Sequence, residues 1–124
     1  MARQCLEIGI EQVRPGNLFG NIGYEIAKYA EKQGYGVVRE YTGHGVGIEF
    51  HEEPYVYHKA PKDSGDFIQS GMIFTIEPMI NTGDHRTKLL ADGWTVKTKD
   101  GSLSAQFEHT ILVTNAGYEI LTIV

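Results

Sequence analysis

The chain changes its hydrophobic rhythm once, near Gln33, and that change narrows the folds open to it. Before it, Leu6, Ile10 and Val13 recur at helical spacing until Pro15-Gly16-Asn17 interrupts the run. A second helical stretch follows, with Ile22, Ile26, Tyr29 and Ala30 on one face and Glu25, Lys28, Glu31 and Lys32 on the other. Gly34 is a good C-terminal stop for it. After that the pattern has the short period of strands, expected at residues 36–40, 48–50, 72–77, 87–90, 95–98, 105–113 and 118–123. Ser70-Gly71, Asp92-Gly93, Asp100-Gly101 and Asn115-Ala116-Gly117 punctuate them, and residues 58–69 are expected to form a surface loop. Two helices followed by a run of strands predict an α+β fold: a curved antiparallel sheet with two helices on one face. A chain of 124 residues supports one core, so residues 1–124 are expected to form a single domain.

Charge and cysteine content exclude several roles. A net charge of −5 without a basic cluster argues against nucleic-acid binding. One cysteine, Cys5, permits no internal disulfide and suits a reducing compartment. The N-terminus lacks an apolar signal core and no stretch is long enough to span a membrane, so a cytoplasmic location is expected, without membrane partners.

Three ionisable residues sit in segments that otherwise read as strand or tight turn. They are His44 in Gly43-His44-Gly45-Val46-Gly47, Glu77 in Phe74-Thr75-Ile76-Glu77-Pro78-Met79, and Glu108 in Ala105-Gln106-Phe107-Glu108-His109-Thr110. Such segments tend to be buried, and a buried charge is costly unless it is paired or bound to a metal. One imidazole and two carboxylates suit Mn, Fe, Co or Zn in a hydrolytic site. Each residue also has an ordinary reading. Strand alternation puts Ala105, Phe107, His109, Ile111 and Val113 on one face and Gln106, Glu108, Thr110 and Leu112 on the other. Glu108 then lines a cleft or simply faces water on an edge strand, the commoner case. His44 is either a turn histidine or a ligand around which the flanking glycines let the backbone bend. Glu77 is harder to dismiss, because it ends an apolar run and Pro78 forces it into an extended conformation.

The same strings, with Phe50-His51-Glu52-Glu53-Pro54, Asp92-Gly93-Trp94-Thr95 and Ser104-Ala105-Gln106-Phe107-Glu108-His109-Thr110, resemble the type I methionine aminopeptidases in order along nearly the whole chain. Prolidases and creatinases of the wider pita-bread superfamily share the His-Gly, Glu-Pro and final Glu elements, while the Asp-Gly-Trp-Thr and Ser-Ala-Gln-Phe-Glu-His-Thr strings favour the methionine enzymes. The resemblance implies that His44 and Glu77 are metal ligands and that Glu108 bridges two metals. By the same resemblance His51 is a catalytic histidine contacting the substrate, Glu77 carries the proton to the leaving amine, and Phe50 and Trp94 line the methionine pocket. The implied substrate is a peptide with an N-terminal methionine, and the implied cofactor is a divalent metal (Co, Mn, Fe or Zn), two in a complete site. A complete family member consists of two related halves, and this chain matches only the C-terminal one. The other half supplies two aspartate ligands, a further catalytic histidine and most of the methionine pocket. With His44, Glu77 and Glu108 alone, at most one weakly held metal is expected, and activity requires the missing half. Two functions follow: an aminopeptidase half completed by that half or by a second copy in a homodimer, or an inactive fragment acting as a metal- or peptide-binding module.

Overall fold

Helix α1, Ala2–Glu11, forms where the apolar spacing puts it and buries Ala2, Cys5, Leu6, Gly9 and Ile10. Val13 lies just past its end and is also buried. Helix α2, Phe19–Lys32, buries Ile22, Ile26 and Ala30 and stops at the expected place before Gly34. The computed structural model describes residues 1–46, 52–93 and 95–122. Among these, no helix is long and apolar enough to cross a membrane.

Among the described residues ten strands follow: β1 (Gly36–Val37), β2 (Gly43–Gly45), β3 (Glu52–Val56), β4 (Ile73–Ile76), β5 (Met79–Asn81), β6 (Thr87–Leu89), β7 (Val96–Thr98), β8 (Ser104–Gln106), β9 (His109–Thr114) and β10 (Gly117–Ile120). They pair antiparallel in a five-stranded sheet of order β10-β9-β4-β2-β3, a three-stranded sheet β1-β5-β8 and the hairpin β6-β7. The expected α+β layering is present, and the core lies where both helices meet the five-stranded sheet. Phe74, Ile76, Ile111 and Val113 join Leu6, Ile10, Ile22 and Ile26 in one buried cluster. Phe19 and Phe74 meet edge to face at 5.1 Å, a geometry favoured by the ring quadrupoles.

The sheet is more broken than the sequence pattern suggests. The strand expected at 105–113 is two strands in different sheets, and the one expected at 72–77 ends before Glu77 and resumes as β5 after Pro78. Proline has no N–H to give a ladder, which explains the break at that point. Phe107, expected beside Ile111 and Val113 on the core side, is 48% exposed because the chain leaves the sheet there. β2 and β3 depart from the sequence pattern because glycine, proline and acidic residues are poor strand formers in isolation, and β5 does so because three residues after Pro78, ending in Asn81, carry too short a pattern to read as a strand. The strand expected at 48–50 lies outside the described residues. The 58–69 segment is irregular and mostly exposed, yet its ends are anchored: His58 is 2% exposed and Ile68 1%.

Candidate metal centre

The two carboxylates occupy the point where one strand pair passes from sheet to sheet. Ile76 lies opposite His109 at the end of the β4–β9 ladder, and Met79 opposite Gln106 at the start of the β5–β8 ladder. The register is continuous across the gap, so Glu77 faces Glu108. Side chains take over the backbone groups released by the break. The Glu77 N–H donates to His58 Nε2 at 3.1 Å, and the Gln106 amide donates to the Glu77 carbonyl at 3.3 Å.

His44 arrives from β2, which lies between β3 and β4. The β2–β3 register shifts between His44 and Gly45, an irregularity of the kind that re-aims a side chain. Gly43 is sterically required: a Cβ there would stand 2.1 Å from the Thr75 carbonyl oxygen. Close approach lets the His44 N–H donate to Thr75 Oγ1 at 3.0 Å, and that hydroxyl donates onward to Glu77 Oε2 at 3.0 Å. Thr75, buried in β4, therefore ties the backbone of one candidate ligand to the carboxylate of another.

The His44 ring lies 3.1 Å from the Gly45 carbonyl through Nδ1. A carbonyl only accepts, so Nδ1 carries the proton and Nε2 presents its lone pair. Nε2 stands 3.5 Å from Glu77 Oε2, and one donor atom from each of His44, Glu77 and Glu108 lies within 4.8 Å of the others. His44 is 7% exposed, Glu77 is partly buried and Glu108 is open to solvent. Burial pushes the Glu77 carboxyl up to about 7, reinforced by the hydrogen bond and repulsion from Glu108 and opposed by Thr75 and His44. Two carboxylates held against one another beside an imidazole lone pair form a cluster that a divalent cation would relieve. This donor set fits a metal with open coordination positions.

The residues anticipated as ligands thus converge. Phe50, His51 and Trp94, assigned by resemblance to catalysis and substrate contact, lie outside the described residues. Thr75 and His58 were missed. Thr75 was readable, because two-residue alternation puts it on the Glu77 side of an apolar strand. His58 carried no local signal.

Comparison with known proteins agrees with this geometry. The sequence is 57% identical to the methionine aminopeptidase of Salmonella typhimurium over 99% of this chain and 47% of that enzyme. It is 52% identical to methionine aminopeptidase A of Synechocystis over 99% of this chain and 49% of that protein. The crystal structure of the Rickettsia prowazekii methionine aminopeptidase superposes with a TM-score of 0.96 at 53% identity, covering 98% of this chain and 50% of the other. The X-Pro aminopeptidase of Thermotoga maritima, 20% identical, shares the fold with a TM-score of 0.69. The chain spans about half the length of the curated relatives it matches. A match to the profile of metallopeptidase family M24 over residues 1–115 joins these likenesses, and the chain belongs to that family.

Proposed function

We propose that this chain is the C-terminal half of a methionine aminopeptidase centre, a single folding unit over residues 1–124 that removes N-terminal methionine once its site is completed. The convergence of His44, Glu77 and Glu108 carries the reading. The high identity to methionine aminopeptidases, against 20% to an X-Pro enzyme, favours methionine over proline specificity. In this scheme His44 Nε2 and the two carboxylates hold Mn, Fe, Co or Zn. Once bound, such a cation supplies Lewis acidity, making water a nucleophile near neutral pH and polarising the scissile carbonyl. Glu77, set beside that water, would take its proton and return it to the leaving amine. Glu108, exposed opposite it, faces the entering peptide. His51 contacts the peptide and stabilises its developing charge, and Phe50 and Trp94 bound the methionine side chain. Three protein ligands leave positions open for water and substrate. The remaining ligands come from an N-terminal half or from a second copy in an isologous dimer. The reading places the protein in the cytoplasm.

The test is hydrolysis of a Met-Ala-Ser peptide with Co(II) or Mn(II), by the chain alone and mixed with the N-terminal half of a related enzyme. Negligible turnover alone, appearing on mixing and vanishing with Glu77→Gln, is the expected result. A second reading, a metal- or peptide-binding module without catalysis, is favoured by the half-length match to the relatives. Metal binding without turnover in any mixture selects it.

A further inference from the structure

One buried ionisable group has no part in this mechanism. His58 is 2% exposed, at the start of an irregular segment and 19 positions from Glu77 in sequence. Its Nε2 accepts the Glu77 N–H at 3.1 Å, at the place where Pro78 ends the β4 ladder. A ring nitrogen that accepts holds its lone pair there, so the proton sits on Nδ1 and the ring is neutral. Among the described residues Nδ1 has no partner at standard hydrogen-bond geometry, although the Tyr41 backbone interacts with the ring. The histidine backbone is itself wedged by α2. A Cβ on Gly23 would lie 2.3 Å from the Tyr57 carbonyl oxygen and 2.9 Å from the Lys59 nitrogen, so the helix presses on the chain at both sides of His58.

We infer that His58 is a positioning residue for the metal centre: by accepting the Glu77 N–H, it fixes the sheet-to-sheet break so that the Glu77 carboxylate stays within reach of His44 Nε2 and Glu108. The inference rests on the reading of Glu77 as a ligand. Glu77 leaves β4 at a break where His58 rather than a ladder partner accepts its N–H, and without His58 that partly buried donor would turn toward water, rotating the carboxylate with it. The contact runs from helix to loop to ligand: α2 holds residues 57–59, His58 holds the Glu77 backbone, and Thr75 holds its carboxylate. His58 touches no substrate and donates no electron pair to the cation. Its effect passes entirely through Glu77.

Two variants differing by one methylene test this. In His58→Gln the amide oxygen reaches the position of Nε2, whereas in His58→Asn it stops near Nδ1 and leaves the Glu77 N–H without an acceptor. Amide hydrogen exchange by NMR on the metal-free chain and calorimetry with Co(II) are the readouts. In His58→Asn, exchange at the Glu77 amide is expected to accelerate at least ~10-fold relative to the Phe74 and Ile111 amides, and Co(II) affinity to fall ~10-fold, as for other residues that orient a ligand. His58→Gln should stay close to the parent in both. Parent-like Glu77 exchange in His58→Asn overturns the inference, as does equal acceleration at Phe74 and Ile111, which would make His58 core filler. Parent protein that binds no Co(II) overturns the metal reading first and this one with it, so the two failures are separable.

Discussion

The two ends of one strand pair differ sharply. On the β4–β9 side, Phe74, Ile76 and Ile111 are fully buried and Val113 is 1% exposed, covered by both helices. On the β5–β8 side the register is the same and β5 still buries Ile80 and Asn81, yet its partner β8 leaves Ser104, Ala105 and Gln106 all exposed. The difference lies in the second strand of the pair, since the pairing does not change: β9 buries Ile111 and Val113, whereas β8 buries none of its residues. Glu77 and Glu108 sit on the boundary and draw on both environments. The dry side desolvates Glu77 and pushes its carboxyl toward neutrality, while the wet side leaves Glu108 exposed to solvent. The hydrolytic centre proposed above would draw on both conditions, and the sheet break brings them together within one register.

The largest test of this contrast is stability. Phe74→Ala on the dry side should cost about 4 kcal/mol, from lost burial and the cavity left behind, whereas exposed Ser104→Ala on the wet side should stay within about 0.5 kcal/mol. Urea denaturation measures both, and values within about 1 kcal/mol of each other would break the comparison. Next comes Gly43→Ala. Its new Cβ meets the Thr75 carbonyl oxygen at 2.1 Å, so β2 must move away from β4 and release the His44 N–H. A loss of about 1–3 kcal/mol is expected, with Co(II) binding lost by calorimetry. His44→Ala sharpens the contrast from the other direction. It should abolish Co(II) binding while moving the thermal midpoint far less than Phe74→Ala does, because His44 lies outside the buried apolar cluster. Undiminished binding in that variant would remove His44 from the ligand set.

The sequence was most readable where one local rule decides the outcome. The helical faces of α1 and α2 follow from 3.6-residue periodicity, and Ile111 and Val113 fall on the core side by alternation. His44, Glu77 and Glu108 stood out as ionisable residues in segments that strands and turns usually bury. Outcomes set by tertiary pairing were not readable. β2 and β3 are strands because the sheet recruits them, against the propensity of Gly43, Gly45 and Pro54. The division of 105–113 was hidden because its cause, Pro78, sits on the partner strand. His58 is invisible for the same reason: its acceptor role exists only once the break at Glu77 does.

The smallest expected effect concerns protons at the boundary itself. In the metal-free chain Glu77 titrates near 7, raised from 4.5 chiefly by burial and then by Glu108. For a carboxyl raised on folding, the stabilising contribution is full below 4.5 and lost as pH rises through about 7, because the folded state holds a proton that the unfolded chain releases. A divalent cation reverses the preference, since it takes the carboxylate. Below pH 7 it must displace that proton, so Co(II) affinity should climb with pH, by at most ~10-fold per unit for this group, and level off above about 7. Calorimetry at pH 6 in two buffers of different ionisation enthalpy should show close to one proton released from Glu77 per metal bound. Glu77→Gln should remove that release while leaving residual binding through His44 and Glu108. Proton release unchanged in Glu77→Gln would mean that the dry side does not tune this carboxyl, and that the boundary between the two ends of the strand pair has no part in the chemistry.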